Sequence, residues 1–374
     1  MKFIVSSTGL FSHLQAISRV INAKNSLPIL DCFLMELTDG TLSITASDSE
    51  TTLITSLEVN EYDNDGRFAV SSKTLLDALK EIPEQPLSFD VNMSNMEITV
   101  QYQNGKYSLM GQNADEYPQN PTLGDNAANV TIGAPVMMVG VNRSLFATAD
   151  DELHPVLNGI YFDIMTENIT FVASDGHKLV RNKTFKARGS EKSAFILPKK
   201  PATLLKNLLP KEQGDVQISF DNRNAVFTLE NYSMICRLIE GRYPNYNSVI
   251  PQNNPYKPII DRAMFVSALK RVSVFSSAGS SLIKIHLDNN RIQISGQDID
   301  FSTSAEETLM CQYEGNPISI GFKSTFLIDI LNNISSQEIV LELADPSRAG
   351  IIVPVEQAEE EDLLMLLMPM MLND

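Results

Sequence analysis

The same short script is written three times along this chain, and that repetition limits the folds open to it. Each copy begins with a strand-like stretch that ends in aspartate. These are Leu42-Ser43-Ile44-Thr45-Ala46-Ser47-Asp48, Ile169-Thr170-Phe171-Val172-Ala173-Ser174-Asp175 and Arg291-Ile292-Gln293-Ile294-Ser295-Gly296-Gln297-Asp298. A second strand-like run follows, then a short helix with paired aliphatics: Leu75/Leu76, Leu204/Leu205 and Leu327/Ile328. The aspartates recur roughly every 125 residues, too long for a solenoid unit of about 20–50 residues and the size of a whole domain. The 374 residues therefore read as three tandem domains, 1–124, 125–253 and 254–374. Tyr117-Pro118-Gln119-Asn120-Pro121 and Tyr243-Pro244-Asn245-Tyr246 mark linkers at the same phase of the repeat.

Each third opens with a helix candidate. Leu10, Leu14, Ile17, Val20 and Ile21 fall at helical spacing, as do Met264, Phe265, Ala268, Leu269 and Val272, with Asp261 as cap. The middle third offers a shorter candidate from Asn142 to about Ala149. Second helices are expected over Ser72–Ile82, Lys199–Leu209 and Lys323–Ile334, with Pro83 and Pro210 stopping the first two. The remainder is short alternating runs between turn signals such as Asp39-Gly40 and Asn104-Gly105. Each third thus holds two helices and roughly eight strands, an α+β fold with helices packed on antiparallel sheets.

Chemistry is sparse. Cys32, Cys236 and Cys311 are far apart and form no CxxC pair, which suggests reduced thiols in a cytoplasmic protein and no zinc site. The N-terminus has too few apolar residues for a signal-peptide core. The apolar run Leu363–Leu372 is about half of the ~20 residues a membrane span needs, so it reads as a final strand plus an exposed tail. No P-loop, GxGxxG, GxSxG or HExxH motif occurs. Ser174-Asp175-Gly176-His177 gathers a hydroxyl, a carboxylate and an imidazole. Adjacent strand residues point to opposite faces, and Asp-Gly is a turn dipeptide, so a turn is expected here rather than a catalytic relay. No catalytic residue, cofactor or metal is expected. The sister aspartates Asp48 and Asp298 lack the Gly-His, which makes the middle repeat distinctive.

The net charge of −17 argues, taken alone, against a protein that grips DNA by neutralising phosphates. The basic residues are nevertheless unevenly placed. The opening helix of the first third carries Arg19 and Lys24 and its second helix Lys73 and Lys80. Lys199, Lys200, Lys206 and Lys211 surround the second helix of the middle third, and the last third has Arg262, Lys270, Arg271 and Lys323. Acids gather in loops, at Glu58, Glu61, Asp63 and Asp65 and at Glu359-Glu360-Glu361-Asp362. Such lysines either solvate exposed helix faces or line a common axis for a polyanion. Screening over about 8 Å at physiological salt leaves an acidic exterior compatible with a basic lining.

The whole chain resembles the bacterial replicative sliding clamp, the β subunit of DNA polymerase III. The resemblance rests on Met1-Lys2-Phe3, Leu27-Pro28-Ile29-Leu30, Asp39-Gly40-Thr41-Leu42, Leu157-Asn158-Gly159, Ser174-Asp175-Gly176-His177-Lys178-Leu179, Gly241-Arg242-Tyr243-Pro244-Asn245-Tyr246 and Met368-Pro369-Met370, in order. It implies three tandem copies of the DNA-clamp domain and a head-to-tail homodimeric ring that encircles and slides on duplex DNA. It implies no enzymatic activity. It also implies a peptide-binding pocket between the second and third domains. By matched position the pocket takes Leu157, Ser174, Gly176, His177, Lys178 and Leu179 from the middle domain, then Pro244 and Val249, then Leu366, Met368, Pro369 and Met370 from the tail. Expected partners are the polymerase III alpha subunit, the clamp loader through its delta subunit, repair polymerases, mismatch repair proteins and ligase, with no membrane partner. For DNA the resemblance points to Lys24, Lys199 and Lys200, and helix position adds Arg19, Lys73, Lys80, Lys206 and Arg271. Tyr107 and Leu109 match positions that pack on Val274 and Phe275 of a neighbouring copy. Lys178, Ser248 and Met371 depart from residues frequent in relatives, and this bears on the polar rim of the pocket.

Overall fold

Residues 1–372 are described by the computed structural model. The first third runs β1 (Lys2–Ser6), α1 (Ser7–Ile17), β2 (Cys32–Thr38), β3 (Thr41–Ser47), β4 (Thr51–Glu58) and β5 (Glu61–Tyr62). It continues with β6 (Gly66–Ser71), α2 (Ser72–Leu79), β7 (Pro86–Asn92), β8 (Glu97–Tyr102) and β9 (Gly105–Met110). The middle third holds β10 (Ala128–Gly133), α3 (Ala134–Leu145), β11 (Gly159–Ile164), β12 (Ile169–Ser174) and β13 (Lys178–Thr184). After these come β14 (Ser193–Pro198), α4 (Lys199–Leu208), β15 (Asp215–Phe220), β16 (Asn224–Thr228) and β17 (Tyr232–Arg237). The last third has β18 (Ile259–Asp261), α5 (Arg262–Ser273), β19 (Leu282–Asp288), β20 (Arg291–Asp298) and β21 (Thr303–Met310). It ends with β22 (Ile318–Lys323), α6 (Ser324–Asn332), β23 (Glu338–Glu342), β24 (Gly350–Pro354) and β25 (Glu361–Leu367).

The sheets do not stop at the thirds. One eight-stranded sheet has the order β10-β15-β16-β17-β4-β3-β2-β6, and another has β14-β11-β12-β13-β25-β24-β23-β18. Two smaller sheets, β5-β1-β7-β8-β9 and β21-β20-β19-β22, complete the set among the described residues. The middle third therefore splits its strands. By contacts the chain forms two units, Met1–Met137 with Thr203–Leu238, and Met138–Ala202 with Ile239–Asp374. The first is built on the five-stranded sheet and one large sheet, the second on the other two.

The helices form where an apolar stripe meets a cap. Leu10, Leu14 and Ile17 bury one face of α1, and Ser6 caps it by accepting from Gly9 N at 3.0 Å. Asp261 caps α5 by accepting from Met264 N at 2.8 Å. Its buried stripe is Phe265, Ala268, Leu269 and Val272, while Met264 is 59% exposed because it lies one position off that stripe. Ile21 falls beyond α1 and is only half-buried. The middle opening helix is α3, which starts well before the expected Asn142 and ends at Leu145. Its stretch from Ala134 to Val141 is apolar all round, so it carries no helical period to read, and Pro135 suits a first turn.

The three repeated aspartates turn out to do the same structural work. Asp48 Oδ1 accepts from Glu50 N at 2.9 Å and Thr51 N at 2.7 Å. Asp175 Oδ1 accepts from His177 N and Lys178 N, both at 2.9 Å. Asp298 Oδ1 accepts from Asp300 N at 3.0 Å and Phe301 N at 3.1 Å. Each ends a strand by folding the chain into an Asx turn.

Candidate functional site

The two large sheets are joined at equivalent places, and comparing these junctions locates the site. In the first unit β17 lies antiparallel to β4, with Cys236 opposite Thr51 and Ile235 opposite Thr52. In the second unit β25 lies on β13, with Leu367 opposite Lys178 and Leu366 opposite Leu179. Arg237 N donates to Glu50 O at 2.9 Å, and Met368 N donates to His177 O at 2.8 Å. The junctions thus match residue for residue, but their chemistry differs. The first is polar: Ser47 Oγ meets Thr52 Oγ1 at 2.8 Å, and Arg237 reaches Glu50 at 3.5 Å. The second substitutes Leu179 for Thr52, Leu366 for Ile235 and Met368 for Arg237.

Around the second junction Leu179 and Leu366 are buried in one cluster with Val172, Ile196, Tyr243, Tyr246, Ile250 and Ile351, and half-buried Leu157 packs against it. The connecting segment supplies this cover because Tyr243 stacks on Tyr161 with ring centroids 4.7 Å apart. That stacking leaves Pro244 exposed and Val249 57% exposed beside the cluster. Met368 is 43% exposed, and Pro369 and Met370 are half-buried. Met370 N donates to Gly321 O at 2.8 Å, so the tail runs along the edge of β22. A Cβ on Gly321 would lie 2.6 Å from Met370 O, so glycine is what lets the tail pass.

The Asp175 turn forms the polar end of this site. Lys178 is buried, its Nζ 2.5 Å from Asp175 Oδ2 and 4.2 Å from the Phe326 ring centroid. Burial opposes ionisation of Asp175, but Lys178 and the two turn N–H groups outweigh it and hold the carboxyl below its usual range. Gly176 has φ +85 and open space around it, so the turn presents bare backbone. The exposed His177 ring lies 6.0 Å from Phe326, while Asp175 bonds the backbone of His177. Ser174 Oγ donates to Lys178 O at 2.9 Å. Hydroxyl, carboxylate and imidazole are thus spent on a turn and a rim. Phe326, Tyr161 and Tyr243 belong to this neighbourhood, although the sequence motifs did not assign them to it.

Three models of one family match the chain in tandem. They are described as the N-terminal, central and C-terminal domains of the DNA polymerase III beta subunit, and they match residues 1–121, 131–245 and 247–371. The chain belongs to the DNA polymerase III beta subunit family. A beta sliding clamp from Pseudomonas aeruginosa is 24% identical over 373 residues, covering all of both chains. One from Synechococcus elongatus is 26% identical over 385 residues, again covering all of both. Among solved structures, the polymerase III beta subunit of Pseudomonas aeruginosa superposes with a TM-score of 0.94 at 23% identity over both full chains. A sliding clamp from Bartonella birtlesii, bound to griselimycin, gives 0.92 at 27% identity, also over both full chains.

For a beta subunit the basic residues matter next. Arg19, Lys24, Lys73, Lys80 and Lys206 are exposed, with Lys73 on α2, Lys80 capping it and Lys206 on α4. Lys24 lies in the loop after α1 rather than on a helix. Lys199 pairs with Asp150, whose side chain is 78% exposed. Such a surface pair contributes little. Arg271 points elsewhere. Its fork grips Glu307 of β21 through Nε and Nη2, both at 2.7 Å. The other expected interface residues lie on sheet edges or near them. Tyr107 and Leu109 are half-buried on β9, and Val274 and Phe275 are 76% and 41% exposed just after α5.

Proposed function

We propose that this protein is the processivity clamp of a replicative polymerase, a two-copy ring that encircles duplex DNA and tethers partners through the pocket at the second junction. The observation that carries this reading is an unsatisfied symmetry. β9, β17 and β25 are equivalent, as are β4, β13 and β21. Within one chain β17 finds β4 and β25 finds β13, which leaves β9 and β21 as free sheet edges among the described residues. Long free edges are a liability that proteins normally cover. A second copy supplies both missing partners at once, and head-to-tail pairing of two chains closes with neither β9 nor β21 left free.

The register follows from three matching bonds. Gln112 N donates to Ala69 O at 2.8 Å, Ile239 N to Ile196 O at 3.1 Å, and Met370 N to Gly321 O at 2.8 Å. Leu109 is therefore equivalent to Cys236 and Leu367, while the pairs Ser47–Thr52, Ser174–Leu179 and Gln297–Ser304 make Thr303 equivalent to Thr51 and Lys178. Leu109 of one copy would face Thr303 of the other, with Ser108 opposite Ser304. A Ser108→Cys, Ser304→Cys double variant should be joined into covalent dimers by a short thiol cross-linker, whereas a particle that stays monomeric at micromolar concentration overturns the reading. The native cysteines are all buried and do not compete.

In the ring, Lys24, Lys199, Lys200 and the exposed cations on or beside the helices contact phosphates without reading sequence. Arg271 serves the β21 edge instead. The pocket takes short segments from the polymerase alpha subunit, the loader's delta subunit and repair proteins. The domain limits are placed near 125 and 253, at the two Tyr-Pro linkers of the repeat. A cytoplasmic location accords with a DNA-replication role, and no helix among the described residues is long and apolar enough to cross a membrane. Retention on nicked circular DNA, surviving salt and lost when the circle is linearised, tests encirclement. Loss of retention in salt on the intact circle would mean contact binding instead.

A further inference from the structure

The face of the second large sheet that carries the apolar site continues into a charged cleft. Leu179, Arg181 and Lys183 alternate on β13 and so share one face. Pairing extends these rows: Arg181 opposes Val172 and Leu364, and Lys183 opposes Thr170 and Asp362. Asp163 lies opposite Thr170 in turn. The Tyr246-Asn247 turn stands over the far rows, with Tyr246 Oη donating to Asp163 Oδ2 at 2.8 Å. Between turn and sheet lies a cleft of about 150 Å³ lined by Asp163, Asn168, Thr170, Arg181, Lys183 and Asn247, among others. The carboxylate in its lining, Asp163, holds Tyr246, and Asp362, opposite Lys183 but outside the lining, takes Arg181 Nη2 at 2.6 Å. Among the described residues, Arg181 Nε is buried without a hydrogen-bond partner and Lys183 makes no ion pair. A buried guanidinium N–H left unmade is costly, and its fork geometry suits a carboxylate.

We infer that this cleft receives an acidic side chain from the segment bound in the apolar pocket, held by Arg181 and Lys183. The inference rests on the pocket reading above and adds a selectivity to it. Charge complementarity and continuity of one sheet face both favour a partner segment as the occupant. Leu179 and Lys183 are four strand positions apart, about 13 Å, which an extended peptide covers in about four residues. Partners with an aspartate or glutamate at that distance on one flank of their apolar anchor would bind best, although the protein as a whole is strongly acidic.

The test uses fluorescence anisotropy on the full chain with three synthetic peptides sharing a Leu-Leu anchor. One has neutral flanks, one carries glutamates about four residues before the anchor, and one carries them about four residues after it. One acidic peptide should bind about tenfold more tightly than the neutral peptide, and the gain should shrink as salt rises. Arg181→Gln and, separately, Lys183→Gln should remove that gain while binding the neutral peptide as before. Thermal unfolding checks that each variant is folded. Equal affinity for all three peptides overturns the inference and leaves the pocket standing, as does a gain that survives both substitutions. No binding of any peptide defeats the pocket reading itself.

Discussion

Replacing Val274 by lysine should split the two-copy ring, and the size of the effect can be worked out. Val274 is 76% exposed in the single chain, beside Phe275 and close in sequence to Arg271, which reaches the β21 edge. Burying most of a valine side chain contributes about 1.5 kcal/mol. Placing an unpaired ammonium there removes that term and adds a desolvation cost no smaller than the ~1–3 kcal/mol that a neutral polar group incurs. Head-to-tail closure uses the same contact twice, so the loss doubles to about 5–9 kcal/mol per ring. At 1.4 kcal/mol per decade the dimer dissociation constant should rise by about 10³-fold or more. Sedimentation velocity across a dilution series reads this directly, and Val274→Ala should show a much smaller shift of the same sign. The exposure of Val274 means the folded single chain should keep its unfolding midpoint. If Val274→Lys dimerises as tightly as the unaltered protein, the assignment of this face to the junction between copies is wrong.

Three further outcomes follow from the second junction. Met368→Arg, which copies Arg237 of the first junction, should weaken binding of an apolar peptide by about tenfold without unfolding the protein, since Met368 is 43% exposed; unchanged titrations would remove Met368 from the pocket wall. Gly321→Val should displace the tail, because its Cβ would meet Met370 O at 2.6 Å; faster amide exchange at Met370 with weaker peptide binding is expected, and unaltered exchange counts against the tail as a wall. Asp175 has its carboxyl held below the unfolded value, so the stability it contributes is full above about pH 4 and is lost as pH falls through the lower folded value. Asp175→Asn should therefore lower the unfolding midpoint at neutral pH and flatten its decline on acidification; an unchanged acid limb would mean that Lys178 and the turn contribute nothing.

Much of this was legible in the chain because local chemistry and global fold agree. The recurrent aspartates were visible as strand ends, and their Asx turns explain why the repeat is spelled with aspartate. The Asp261 cap and the stripe from Phe265 to Val272 could be read from spacing alone. The start of α3 could not, since a helix apolar on every side has no phase. Strand pairing across the thirds was also hidden: nothing local in Thr51 or Lys178 names Cys236 or Leu367 as its neighbour. The direction of Arg271 was hidden for a related reason. Its place on a helix suggested phosphate, but a carboxylate distant in sequence, on Glu307, sets its direction. The pocket's apolar floor was accessible from the motifs, whereas Phe326, 4.2 Å from the Lys178 ammonium, was not.

The division of the middle third between two sheets has a consequence for biosynthesis. β4 waits for β17, so the first large sheet cannot be completed until Arg237 has left the ribosome. The early strands meanwhile hold an open edge through synthesis of more than a hundred further residues, at about 5–20 residues per second. β13 waits longer still, for β25 at the end of the chain. Two exposed strands, Thr51–Glu58 and Lys178–Thr184, are thus the places where a nascent chain would need protection from mispairing. Both lie directly after an aspartate turn, so each edge is presented in its final geometry well before its partner strand exists.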